Sequence, residues 1–180
     1  MTSKSPEELA DLLRRRNTID EKIAALIHRP ALTGHLGEWI AAAVFDIELA
    51  ASAVAKGIDG HFRSGALGGR SVNVKTYAKA EGLLDVATHE TPPDCYLVLA
   101  GPRAAAALSV GRTRPFVITS VFLFETTRLM AALQDRGVKI RAATSVILKL
   151  WRGAEVFPEN RNQLLLLNAE QRWLLSLFSG

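Results

Sequence analysis

The sequence predicts a single domain of the α/β or α+β class, with a mixed central sheet flanked by helices. Short β-prone or fully apolar runs lie in the middle and second half of the chain, and segments with helical periodicity precede and follow them. Apolar residues make up 48% of the 180 residues and charged residues 22%, which is sufficient for one complete hydrophobic core. We therefore expect one domain over residues 1–180, with an N-terminal helix over 1–30 and the core over 33–180.

The first helix is expected from about Pro6 to His28. Ser5 is suited to cap it, with Pro6 at the first helical position and Glu8 completing a capping box. Its apolar residues follow at steps of three and four and are Leu9, Leu12, Ile19, Ile23 and Leu26. This spacing resembles a coiled-coil seam, but the seam is short and Arg16 occupies an inner position. We therefore expect this face to pack on the domain's own core.

A second helix is expected from about Thr33 to Leu49, after Pro30 and Gly34 interrupt the first. Its buried stripe is predicted to consist of Leu36, Trp39, Ile40, Ala43, Val44 and Ile47. Glu38 lies in its first turns, where an acid is common simply because it complements the helix dipole. The helical pattern alone therefore gives Glu38 no special role.

Two short extended segments are expected after this helix, over Gly57 to Phe62 and Ser71 to Tyr77. The glycine-rich connection over 64–69 suits a hairpin between them. It does not suit a P-loop, which needs a lysine before the serine and a helix afterwards. We therefore expect an antiparallel pair of strands at this point of the chain.

The rest of the chain is expected to complete the sheet and its covering helices. The fully apolar run that ends at Gly101 and Pro102 is typical of a strand buried on both faces. In chain order we expect strands over Tyr96–Ala100 and Phe116–Phe124, a helix over Glu125–Arg136 ended by Gly137, a short strand over Val138–Ala142, and a closing helix over Ala169–Phe178.

Several functional classes find little support in the sequence. No apolar run approaches the roughly 20 residues of a membrane-spanning helix, so we expect a cytoplasmic protein that does not enter the membrane. The single cysteine, Cys95, lies in an apolar run and is expected to be a buried, unreactive thiol. The four histidines are too widely spaced for a local zinc motif. No serine stands in a Gly-x-Ser-x-Gly elbow, which argues against a hydrolase triad.

The two extended segments bring polar side chains to one place. Residues on a strand alternate between its faces, so Asn73 and Lys75 point the same way, away from Val72 and Val74. If the segments pair as a hairpin, Asp59 reaches the same polar face. An acid, an amide and an ammonium group in one place are suited to a metal ion and a phosphate.

This pattern resembles the PD-(D/E)XK nuclease fold, whose core is that of the restriction endonucleases. Asp59 falls on the family's Asp, Asn73 on the position of its second acid, Lys75 on its Lys, and Glu38 on a helical Glu present in some branches. The resemblance implies a restriction-endonuclease-like core with an N-terminal helical extension. It also implies that Asp59, Glu38 and Asn73 bind Mg²⁺ or Mn²⁺, and that Lys75, with Asn73, activates the attacking water.

Asn73 departs from the family pattern, because an amide offers a metal one oxygen but no charge. Metal binding should therefore be weakened, although Mg²⁺ is often held by only one or two carboxylates with water and substrate phosphate. The chain also resembles, over nearly its whole length, a bacterial family of unknown function, and this resemblance names no activity. The segments that carry it are Gly34–Glu38, Gly57–Gly60, Val72–Lys75 and Asp94–Pro102.

Basic residues dominate the stretch around these segments. Between Leu49 and Ala80 the only acid is Asp59, and the basic residues are Lys56, Arg63, Arg70, Lys75 and Lys79. The net charge of the whole chain is only +4, so the stretch is either a solvated face or a surface for an anionic partner. In the second case Lys56, Arg63, Arg70 and Lys79 would bind nucleic acid.

Three functions are therefore consistent with the sequence. The first is a magnesium-dependent phosphodiesterase that cleaves DNA. The second is a catalytically degenerate module of the same fold that binds nucleic acid or a phosphorylated partner without cleavage. The third is a protein-interaction domain in which Lys75 and Asp59 form a structural ion pair. The sequence leaves open whether the protein forms a homodimer.

Overall fold

The computed structural model of the protein describes residues 5–50, 57–80, 82–86, 91–102, 115–140 and 143–180. Within these ranges five α-helices flank a mixed sheet of six strands, which confirms the predicted fold class. No helix in the same ranges is long and apolar enough to cross a membrane.

The elements follow one another in a simple order along the chain. They are α1 (Pro6–Ile27), α2 (Thr33–Phe45), β1 (Ile47–Leu49), β2 (Gly60–Phe62), β3 (Ser71–Tyr77), β4 (Leu83–Leu84), β5 (Cys95–Ala100), β6 (Ser120–Glu125), α3 (Thr126–Gln134), β7 (Thr144–Ser145), α4 (Leu148–Ala154), β8 (Glu155–Phe157) and α5 (Ala169–Ser176). The strand order in the sheet is β1-β2-β3-β5-β6-β8, and β4 pairs separately with β7. Among the described strands, only β3 and β5 pair in parallel.

The sheet separates two hydrophobic clusters. One face of β3 and β5, with Val72, Val74 and Leu97, packs against α2 and α5. The other face of the sheet, with Tyr96 and Phe122, packs against α3 and α4. Strand β5 is buried on both faces, as its continuous apolar run predicts.

Cys95 lies in the first position of β5 and behaves as the sequence predicts. Its thiol is free and buried. Burial is the main reason that its pKa rises to about 11. The thiol is therefore protonated at neutral pH and has a structural role.

The expectation that α1 packs on the domain's core is wrong. Leu9, Leu12, Ile19 and Leu26 are 57%, 55%, 57% and 64% exposed, and Ile27 is the one buried residue of α1. The apolar residues of α2 and α5 already cover this face of the sheet. A 22-residue helix is about 33 Å long, so only its C-terminal end reaches the core.

The second helix is shorter than predicted. It ends at Phe45 rather than near Leu49, because Asp46 adopts a left-handed conformation with a φ of 53°. The following residues, Ile47–Leu49, form β1 and pair with β2. The predicted hairpin is confirmed, since β2 and β3 are antiparallel neighbours.

The short strand predicted over Val138–Ala142 is wrong where the structure describes it, because residues 138–140 form no strand. Residues 141 and 142 lie outside the described residues. The Val138 amide instead donates a hydrogen bond to the Leu133 carbonyl and helps to end α3. The strand of this region is β7, two residues further along the chain.

The starts of the two parallel strands are joined through Asp94. Its Oδ2 accepts hydrogen bonds from the Ser71 backbone N–H (2.8 Å) and the Ser71 hydroxyl (2.7 Å). These two bonds, with smaller contributions from nearby Arg70 and His61, lower the pKa of Asp94 below its ordinary value of 3.8. The charged carboxylate therefore stabilises the junction of β3 and β5.

Replacing Asp94 by Asn should lower the free energy of unfolding by about 1 kcal/mol at pH 7, a value reduced for the exposure of this side chain. Because the folded-state pKa is depressed, the contribution is present above pH 3.8 and disappears as the pH falls through the lowered pKa. Urea unfolding of wild type and Asp94→Asn at pH 7 and in acid checks this. An equal difference at both pH values would contradict it.

Candidate functional site

Asp59 lies where β2 begins to pair with β3. Its backbone N–H donates to the Val72 carbonyl (2.9 Å), and its side-chain Oδ2 accepts from the Val74 N–H (2.7 Å). The Asp59 carboxylate thus accepts the hydrogen bond from the Val74 N–H. In a longer β2, a backbone carbonyl would accept this bond. The carboxylate is held at the edge of β3, in line with the sheet.

Asn73 is the most unusual side chain of the site. It is 4% exposed, and its amide Nδ2 donates to the Gly57 carbonyl oxygen (3.0 Å). This bond fixes the orientation of the amide, because a carbonyl requires a donor. The amide Oδ1 is buried and finds no hydrogen-bond donor among the described residues. A buried acceptor left without a partner costs about 1–3 kcal/mol, so this oxygen is available to a hydrogen-bond donor or a cation.

Lys75 follows on the same face of β3, two residues beyond Asn73. Its side chain is partly buried. Burial raises the pKa of Asp59 above its ordinary value, while the Val74 N–H and then the charge of Lys75 oppose that rise. The ammonium group is therefore close enough to the carboxylate to interact with it electrostatically.

Glu38 approaches Asp59 from the other side. Helix α2 packs against the face of β3 that carries Val72 and Val74, opposite to the face of Asn73 and Lys75. The pKa of Glu38 is raised, first by burial and then by the charge of Asp59. The two carboxylates therefore lie within electrostatic range, with Asp59 between the helical acid and the lysine.

Arg29 joins these two acids, although no sequence pattern singles it out. Its guanidinium donates to Glu38 Oε2 and to the Ala50 carbonyl. Its positive charge opposes the rise in the pKa of both Glu38 and Asp59. Arg29 follows the end of α1 as a lone basic residue between two helices. Only the tertiary contact reveals its part in the site.

The predicted nucleic-acid-binding residues are spread along the hairpin. Arg63 lies 3.8 Å from Glu48, and Arg70 lies 3.5 Å from Glu125. Lys79 follows β3, whose seven residues span about 23 Å and separate it from Arg70. Lys56 lies outside the described residues. The assignment of these side chains to nucleic-acid binding stays a prediction.

The donor atoms around Asp59 are suited to a small, hard cation. The described part of the chain has no group of three or more His, Cys, Asp or Glu side chains placed to hold a metal ion. It does have the Asp59 and Glu38 carboxylates, within electrostatic range of each other, and the unsatisfied amide oxygen of Asn73, which lies on the face of β3 opposite to Glu38. Oxygen donors of this kind fit Mg²⁺ or Mn²⁺, because Mg²⁺ needs only one or two carboxylates when water or substrate completes its shell.

Comparison with known proteins gives no independent guide to this site. No protein-family model and no curated protein matches the chain. The function must therefore be inferred from the chemistry of Asp59, Glu38, Asn73, Lys75 and Arg29.

Proposed function

We propose that this protein is a phosphodiesterase that hydrolyses DNA with Mg²⁺ or Mn²⁺ at the site around Asp59. The observation that carries the proposal is the buried Asn73 Oδ1, which has no donor among the described residues. A cation gives such an oxygen the partner that it lacks. The Asp59 carboxylate, held at the edge of β3, supplies negative charge for this cation, and Glu38 adds to that charge from the opposite face of β3.

The proposal assigns the metal-binding role to Asp59 and Asn73, and Glu38 contributes negative charge from the opposite face of β3 through its position beside Asp59. Bound there, Mg²⁺ or Mn²⁺ would supply Lewis-acid polarisation of a substrate phosphate. The Val74 N–H fixes the orientation of the Asp59 carboxylate through its Oδ2. Arg29 holds Glu38 beside Asp59 and offsets the repulsion between the two buried charges. The site is thus arranged before a substrate binds.

The proposal assigns the catalytic role to Lys75, with Asn73 helping to position water. The ammonium group, beside Asp59, can donate hydrogen bonds to the attacking water and to the oxygens of the phosphate as negative charge develops on them. Its partial burial strengthens this interaction, because water screens the charge less. A lysine in this place orients water and stabilises the transition state.

A second candidate function is binding of nucleic acid or of a phosphorylated partner without cleavage. Asn73 favours it, because the neutral amide leaves the site with fewer negative charges than the resemblance to nucleases implies. In that case Lys75 and the other basic residues of the hairpin would contact phosphates only. Binding should then weaken steeply with salt, with a log-log slope of roughly −3 to −4 for four contacts.

A cleavage assay separates the two candidates. We expect wild type to cut supercoiled, linear or single-stranded DNA with Mg²⁺ or Mn²⁺, and Lys75→Ala to lower the rate by about a hundredfold or more. Lys149→Ala is the matched control, since Lys149 is exposed on α4 and away from the site. Metal affinity, measured by calorimetry, should be largely retained in Lys75→Ala.

Two outcomes would contradict the catalytic proposal. One is a wild-type protein that cuts none of the three DNA forms with either metal. The other is cleavage that survives Lys75→Ala, since this would place the activity at another site. Binding without cleavage, with the salt dependence given above, would instead support the second candidate.

A further inference from the structure

Helix α1 carries a heptad seam, apolar except at Arg16, that the described fold leaves largely uncovered. Its first inner positions are Leu9, Arg16 and Ile23, and its second inner positions are Leu12, Ile19 and Leu26, each set spaced by seven residues. Four of these apolar side chains are more than half exposed, and Leu13 beside them is 46% exposed. An exposed stripe that is apolar except at Arg16 marks an interaction surface.

The helix is well formed without a partner along this stripe. The Ser5 hydroxyl accepts a hydrogen bond from the Glu8 N–H at its N-terminus. Ion pairs link Asp11 to Arg15 (2.8 Å) and Arg16 to Asp20 (3.5 Å) along its surface. The seam is therefore presented on a regular helix whose other end is anchored by Ile27.

We propose that α1 pairs with α1 of a second copy of this chain to form a parallel, in-register, two-stranded coiled coil. A seam with a period of seven is self-complementary, because every inner residue meets its own counterpart. A second copy therefore covers the whole stripe.

The charges that flank the seam favour the parallel orientation. In a parallel pair, Arg15 of one helix faces Asp20 of the other, five residues further along, and this contact forms twice. In an antiparallel pair that overlaps over the whole seam, Leu9 meets Leu26 and Arg15 would face Lys22 of the other copy. These like charges would repel, which favours the parallel pair even though Arg16 there faces Arg16 of the other copy.

Arg16 limits the affinity of this pair and sets its register. A charged residue at one inner position lowers the stability of a coiled coil but disfavours shifted alignments. Arg16 also has an acidic neighbour in Asp20 of its own helix. Each helix has only six inner positions, three in each set. We therefore expect a dissociation constant on the order of 10 µM.

The parallel arrangement would bring the two candidate sites to the same end of the coiled coil. Helix α1 ends at Ile27, and Arg29, two residues later, bonds to Glu38. Two such helix ends in a parallel pair lie side by side. The dimer itself does not depend on the chemistry at Asp59.

Sedimentation velocity from about 1 to about 200 µM protein brackets the expected affinity. Wild type should pass from monomer to dimer over this range. Leu12→Glu with Ile19→Glu should remain monomeric, because both charges enter the seam. The matched control is Thr18→Glu with Ala25→Glu, which places the same charges at the same spacing on exposed positions of α1 outside the seam. This control should dimerise like wild type.

Disulfide cross-linking tests the orientation. With oxidised glutathione, the Leu12→Cys variant should form a dimer through a disulfide between the two introduced cysteines. Cys95 is buried and should not form a disulfide with them. A mixture of Leu9→Cys and Leu26→Cys should not form a mixed disulfide. The proposal would be overturned by a wild type that stays monomeric, by a dimer that the seam substitutions leave intact, or by preferential linkage of Leu9→Cys to Leu26→Cys.

Discussion

Asn73→Asp is expected to tighten the binding of Mg²⁺ or Mn²⁺ by about a hundredfold, with DNA cleavage maintained or raised. A unit charge about 4 Å from another is worth roughly 4 kcal/mol at an effective dielectric of 20. Part of this interaction energy is offset, because the added carboxylate must be desolvated and is repelled by the nearby Asp59. A net gain of about 2.8 kcal/mol corresponds to the hundredfold change.

The same substitution should destabilise the metal-free protein. Asn73 is 4% exposed, so the new carboxylate would be buried without a cation, and its repulsion from Asp59 would add to that penalty. Added metal should then raise the melting temperature of Asn73→Asp more than that of wild type. Calorimetric titration and thermal unfolding with and without Mg²⁺ measure both effects.

A matched control comes from Asn160, which is exposed in the loop after β8. Strand β8 lies at the sheet edge opposite to β1 and β2. Asn160→Asp adds the same charge far from Asp59 and should leave metal affinity unchanged. If Asn73→Asp binds metal no more tightly than wild type or Asn160→Asp, Asn73 does not contribute to a metal site.

Gly37→Ala is expected to lower the free energy of unfolding by about 3 kcal/mol. A Cβ at Gly37 would lie 1.7 Å from Thr76 Oγ1 and 2.9 Å from Thr76 Cβ. Helix α2 and strand β3 must therefore move apart. Since Glu38 is the next residue, we also expect weaker metal binding in this variant.

Gly34→Ala provides the control on the same helix. An added Cβ there meets no atom within 4 Å, and alanine favours a helix over glycine by up to about 1 kcal/mol. Urea unfolding should therefore show a small gain for Gly34→Ala and a large loss for Gly37→Ala. Equal stability of the two variants would contradict the close contact between α2 and β3.

The local geometry of the site follows from the alternation and turn residues of the sequence. Side chains on a strand alternate with a period of two, so Asn73 and Lys75 share a face wherever β3 lies in the fold. The glycine-rich connection likewise predicted the pairing of β2 with β3, which brings Asp59 to the Val74 N–H. The strand buried on both faces was also readable, because its apolar run is continuous.

Which surfaces are covered depends on long-range packing between the helices and the sheet. The apolar spacing of α1 indicates an amphipathic helix whether or not its apolar face is buried. Leu9 and Leu26 are exposed because α2 and α5 already cover this face of the sheet. Arg29 and Glu38 join the site for a similar reason. Their position beside Asp59 results from the packing of α2 on β3, a long-range contact that no local period of the sequence encodes.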